Sequence, residues 1–139
     1  MRASRTVLQR LDVRVLSSPY PEVVLAGRLA YDPVDPYAVY FGVADAHPFG
    51  GGEPPVCWTF GRDLLERGRR EAVGEGDVLI SPAADGSLLI ELHGCAGSAV
   101  LAVSGAQVEA FLADCFAQVP AGTESAHLDL EECLARLRV

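Results

Sequence analysis

Residues 76–94, GDVLISPAADGSLLIELHG, decide the fold. Two apolar runs flank Asp85-Gly86, a pairing that accepts positive φ in a tight hairpin turn, so the segment predicts two antiparallel strands. Just downstream, SAVLAVS (98–104) supplies another strand. Beyond it the period changes. Ser104 with Gln107 three residues later reads as a capping box, and Val108, Phe111, Leu112, Cys115, Phe116 and Val119 recur at helical spacing. Pro120, Gly122 and Thr123 break the chain, and Asp129 with Glu132 opens a last helix with Leu130, Cys133, Leu134 and Leu137 on one side.

Upstream, GRDLLERG (61–68) reads as a helix of two turns at most, with Asp63 near its positive end and Gly68 placed to stop it. VCWTF (56–60) is a short strand behind HPFGGGEPP (47–55), a loop rich in glycine and proline. PEVVLAGRLAY (21–31) and YAVYFGVA (37–44) are strands separated by a corner, YDPVDPYAV (31–39), in which Asp32-Pro33 and Asp35-Pro36 lie between Tyr31 and Tyr37. Near the start, Val7, Leu11, Val13 and Val15 alternate with Arg10, Asp12 and Arg14, the period of a half-buried strand. Strands, a short helix, more strands and two C-terminal helices make one α+β domain of antiparallel sheet over residues 1–139.

Composition narrows the function classes. Half of the 139 residues are hydrophobic and 22% are charged, a globular balance, and no apolar run approaches the roughly 18 residues of a membrane helix. Charge interrupts the N-terminus every few residues, so no signal-peptide core is visible and a cytoplasmic protein is expected. Cys57, Cys95, Cys115 and Cys133 lack CxxC spacing and sit in apolar patterns, which reads as small core residues. A net charge of −8 argues against a general nucleic-acid binder. Yet residues 1–15 carry Arg2, Arg5, Arg10 and Arg14 against Asp12, a net of +3 that leaves −11 for the remainder.

Candidate chemistry is thin. His93 and Cys95 would share one face of a strand, but a zinc site needs two further ligands and no matching pair occurs. A Cys-His nucleophile pair lacks a marked activating environment. Gly50-Gly51-Gly52 is followed by Glu53-Pro54-Pro55, not by the lysine, serine or helix start of a phosphate loop. Asp32 and Asp35 precede prolines and read as turn formers before they read as an acid-base pair. Arg67, Arg69 and Arg70 lie among Glu66, Glu71 and Glu75, a solvated face. Trp58 and Phe60 read as core or subunit contact, with base stacking the alternative. These residues point to a domain that works by binding.

The order and spacing of YDPVDPYAV, WTFGRDLL (58–65) and GEGDVLISP (74–82), with VPAGTE (119–124) and HLDLEECL (127–134) behind them, resemble the SsgA-like proteins. The resemblance runs from about residue 7 to residue 137. It implies a protein of sporulation-specific cell division, without enzymatic activity or cofactor, that helps select septum sites by binding proteins. At least one member of that family recruits the tubulin-like division protein FtsZ. It also implies a Whirly-like fold of antiparallel sheets and packed helices, a homotrimer, and recruitment from the cytoplasm to septation sites. Partners would be FtsZ, other division proteins or other SsgA-like proteins, with neither nucleic acid nor membrane insertion expected.

On the family motifs fall Asp35, Tyr37, Trp58, Arg62, Asp63 and Leu64, the expected protein-interaction residues, with Arg62 and Asp63 expected either to pair at the strand-to-helix corner or to face a partner. Two rival classes remain. One is a single-stranded nucleic-acid binder using the basic N-terminal strand. The other is an enzyme built around Cys95 or the aspartate pair, which would require a pocket with perturbed titrating groups.

Overall fold

The computed structural model describes residues 5–17, 24–44, 56–94 and 97–128. Eight strands form one antiparallel sheet: β1 (Val7–Val15), β2 (Val24–Tyr31), β3 (Ala38–Ala44), β4 (Val56–Gly61), β5 (Val73–Glu75), β6 (Val78–Pro82), β7 (Ser87–Gly94) and β8 (Gly97–Ser104). Helix α1 (Arg62–Gly68) joins β4 to β5, and α2 (Gly105–Gln118) and the one-turn α3 (Glu124–His127) follow β8. Spatial order is β4-β3-β2-β1-β8-β7-β6-β5. The sheet is two four-stranded meanders meeting at a narrow seam. Among the described residues, eight pairs join β1 to β2 and eight join β7 to β8, while two, Arg14↔Ala102 and Val15↔Leu101, join β1 to β8, with the Leu16 N–H donating to the Val100 carbonyl at 2.8 Å just beyond them.

Period-two burial follows the sequence pattern. Leu11 and Val13 of β1, Leu29 and Tyr31 of β2, Val39 and Phe41 of β3 and Phe60 of β4 are buried on the face shared with the helices. Ile80, Ile90, Leu101 and Val103 continue that face in the second meander, and Val108, Phe111, Leu112 and Cys115 of α2 cover it. At these positions one hydrophobic core spans both halves.

Several local expectations are corrected. The β6–β7 hairpin is closed by a four-residue connection, Ala83–Gly86, rather than by Asp85-Gly86 alone. Gly86 takes φ +87°, and the Asp85 carboxylate accepts the Ser87 N–H at 2.9 Å. At α2 only half of the capping box is made: Ser104 Oγ accepts the Gln107 N–H, while Gln107 Oε1 is buried without a partner. Strand β5 was not foreseen, because three residues with a single buried valine carry no readable period. Gly68 has a packing role: a Cβ there would run into the Ile80 side chain, so glycine lets α1 lie directly on β6. Cys115 is a core thiol as expected, whereas Cys57 is exposed. The helix expected from Asp129, the loop at 47–55, Cys95 and Cys133 lie outside the described residues.

Candidate interaction surface

The double Asp-Pro stretch builds a corner between β2 and β3. Prolines at 33 and 36 fix φ and lack an N–H, so the turn is held by other donors. The Asp32 carboxylate accepts the Val34 N–H at 3.1 Å, and the Asp32 carbonyl accepts the Asp35 N–H at 2.9 Å. Asp35 Oδ2 in turn accepts the Tyr40 hydroxyl at 2.7 Å. Both carboxylates therefore shape the turn. Tyr31, fully buried at the end of β2, donates its hydroxyl to the Pro36 carbonyl at 2.9 Å.

Arg62 ties this corner to the far end of the chain. It is 2% exposed, and among the described residues it is the buried charged side chain. Its Nη1 donates to the Tyr31 hydroxyl at 3.1 Å and to the Val119 carbonyl at 2.7 Å, with Cys115 O at 3.4 Å. Nη2 donates to Glu124 Oε1 at 2.8 Å. The guanidinium carbon lies 4.2 Å from the Phe116 ring centroid and 5.2 Å from that of Tyr31. A cation here meets carbonyls at the C-terminus of α2, where the helix dipole favours it, and shares the Cys115 carbonyl with the Val119 N–H. One side chain thus staples β2, α1, the end of α2 and α3.

Electrostatics follow from this packing. Burial pushes the Tyr31 hydroxyl up to about 12, against the opposing pull of Arg62. Burial likewise pushes the Cys115 thiol up to about 12, so this cysteine stays neutral. Glu124 is held below the ordinary glutamate value, first by its own backbone N–H and further by Arg62. Among the described residues, no group of three or more His, Cys, Asp or Glu side chains is placed to hold a metal ion. His93 Nε2 lies 3.7 Å from the Glu91 carboxylate.

The expected interaction residues divide. Tyr37 is 51% exposed, and its carbonyl accepts the Arg62 N–H at 2.8 Å, which sets it beside the start of α1. Asp63, exposed in the first turn of α1, sits at the same corner, 3.8 Å from Arg67 rather than paired with Arg62. Leu64 is 4% exposed and belongs to the core. Trp58 packs against Phe41 with ring centroids 6.3 Å apart, and Asp35 holds Tyr40. The expected Arg62–Asp63 pair is replaced because Arg62 turns inward to the α2 carbonyls and Glu124, where its donors have better partners than an exposed carboxylate. Sequence reasoning missed Glu124, which is 62 positions away from Arg62 and carries no local signal. It also passed over Arg28, whose place opposite Arg10 becomes visible once strand register is known.

These features define a class: a small antiparallel-sheet domain whose central polar cluster binds its own elements together and leaves faces and corners for contact. The sequence profile described as "Streptomyces sporulation and cell division protein, SsgA" matches residues 25–124. Sporulation-specific cell division protein SsgB of Streptomyces coelicolor is 36% identical over 135 residues, covering 95% of this chain and 95% of that protein. SsgB of Kineococcus radiotolerans is 35% identical over 132 residues, 91% of this chain and 76% of that protein. A solved SsgA-like sporulation-specific cell division protein from Thermobifida fusca superposes with a TM-score of 0.82 at 30% identity, covering 99% of this chain and 98% of that one. A solved structure reported with SsgB mutations that correlate with longitudinal cell division during sporulation of Streptomyces coelicolor gives 0.80 at 33% identity, covering 92% of this chain and 99% of that one. The chain belongs to the SsgA family of sporulation and cell division proteins.

Proposed function

We propose that this chain is a single-domain, non-enzymatic adaptor of sporulation-specific cell division that helps select septum sites by binding division proteins, FtsZ among them. The observation that carries the reading is the full-length similarity to SsgB proteins, which covers 95% of both chains for the Streptomyces coelicolor protein. The Arg62 cluster supports it, because a rigid staple beneath Tyr37 and Asp63 gives that corner a fixed shape to offer. Tyr37 and Asp63 are the contact residues of this proposal, and Asp35, Trp58, Arg62 and Leu64 belong to its buried and half-buried frame. Among the described residues, no helix is long and apolar enough to cross a membrane, which suits recruitment by protein contact. A Whirly-like arrangement and a homotrimer belong to the same proposal, and sedimentation of the purified protein tests the assembly.

A fluorescent fusion followed through sporulation alongside labelled FtsZ tests the reading. Regular ladders that coincide with FtsZ before septa close are expected, and Tyr37→Ala with Asp63→Ala should weaken them while the protein stays folded. Signal spread through the cell at all stages would contradict it.

A further inference from the structure

The outer face of the first meander carries two arginines that no side chain among the described residues answers. Side chains alternate along a strand, so with Leu11 and Val13 in the core, Leu8, Arg10, Asp12 and Arg14 point away from it. Register sets Arg10 directly opposite Arg28, and the same row continues through Gly42 to Cys57. Like charges directly opposite one another destabilise a strand pair. Arg14 is answered by Ser87 Oγ at 3.1 Å and Asp85 at 3.7 Å. Neither Arg10 nor Arg28 has a side-chain hydrogen bond or ion pair among the described residues. Above the row, Gly42 contributes no side chain, and an open concavity of about 700 Å³ is edged by Leu8, Arg10, Ala26, Arg28 and Tyr40.

We propose that this face docks an extended acidic-apolar peptide of a partner protein, with one carboxylate across Arg10 and Arg28 and an apolar side chain two residues away against Leu8. The inference rests on the adaptor reading above and names the surface and chemistry of one partner. Two guanidinium forks facing each other suit a carboxylate, which accepts paired hydrogen bonds and cancels their repulsion. The adjoining row is Leu8, Ala30 and Tyr40, and Leu8 is 65% exposed, so it offers apolar surface at the two-residue spacing of an extended chain. On the other side of the arginines stands Asp12, which repels a second carboxylate and so sets the direction of the peptide. Ala26, Ala30 and Gly42 let a backbone come close. Strands β1 and β2 are interior to the sheet, so recognition is by side chains on the face and not by strand addition. A net charge of −8 favours a short peptide with one or two carboxylates over a polyanion such as single-stranded nucleic acid.

A displayed library of random nine-residue peptides, panned on the folded wild-type protein and on the Arg10→Thr, Arg28→Thr double variant, tests the proposal. Threonine suits a strand, and removing facing charges should leave the melting temperature equal or raised, which is checked first. Expected is enrichment of Asp or Glu with an apolar residue two positions away, and binding of a selected peptide at least tenfold weaker to the double variant and to the protein with Leu8→Ser. Selection without acidic residues, or equal binding to the variants, overturns the proposal. So does thymidine-oligomer binding that depends on the two arginines, which would assign the face to nucleic acid. A drop in sedimenting mass of the double variant would assign it to a second copy of the chain and overturn it likewise. Septation separates this inference from the adaptor reading. Normal septa in cells carrying the double variant, where deletion abolishes them, defeat the docking face and leave the adaptor reading standing. Normal septa after deletion defeat the adaptor reading, while the panning still judges the face.

Discussion

A guanidinium in a protein interior is tolerated only when its donors are met and its charge is answered. Arg62 meets both conditions with two carbonyls, a hydroxyl, a carboxylate and an aromatic face. Arg62→Met keeps much of the packing but leaves the Val119 carbonyl and the Tyr31 hydroxyl without their donor, while partly exposed Glu124 returns to water, and buried acceptors left unmet cost about 1–3 kcal/mol. Arg62→Lys cannot span the same acceptors with one ammonium, so it too should lower the midpoint of urea unfolding. Glu124 has a depressed folded value, so its contribution is complete above the ordinary 4.5 and is lost as pH falls through the depressed one. Glu124→Gln should therefore flatten the acid limb of the stability profile. Tyr31 and Cys115 have raised folded values, so their contributions are complete below 9 to 10 and are lost as pH rises towards about 12. Tyr31→Phe should flatten the alkaline limb, at a cost of about 1 kcal/mol for the lost hydrogen bond to Pro36.

Among the elements, α1 shows two effects of opposite sign. Gly68→Ala would gain about 1 kcal/mol from helix propensity. The new Cβ, however, meets the Ile80 side chain, and overpacking of this kind costs about 1–3 kcal/mol. Net destabilisation is expected in chemical denaturation, and a stabilised variant would show that α1 can shift off β6. Ser104→Ala should cost about 1 kcal/mol, because the Gln107 N–H loses its cap. Long periodic elements were legible in the sequence: Val7–Val15 by its alternation, and Gly105–Gln118 by its apolar stripe and serine cap. Short ones were not. Strand β5 exists because Val73 pairs with Ile80, and α3 because the chain returns Glu124 to Arg62, both settled by tertiary contact. Which motif residues face outward was half legible for the same reason. Tyr37 and Asp63 lie at the surface, while Arg62 and Leu64 turn inward, and nothing in WTFGRDLL distinguishes the two outcomes before the neighbours are placed.

At the scale of the molecule, two meanders share one core and, among the described residues, two residue pairs of strand seam. Helix α2 bridges that seam by packing on β1, β7 and β8, so its apolar face adds to the ladder in holding the halves together. The family's place in sporulation-specific division gives this scaffold its context, and an adaptor needs a rigid frame with selective faces. Counting sporulation septa after deletion of the gene from its native host, with and without a wild-type copy restored, tests the central claim most directly. Loss or misplacement of septa, repaired by the restored copy, is the expected result. Septa normal in number and spacing in the deletion strain would contradict a role in division.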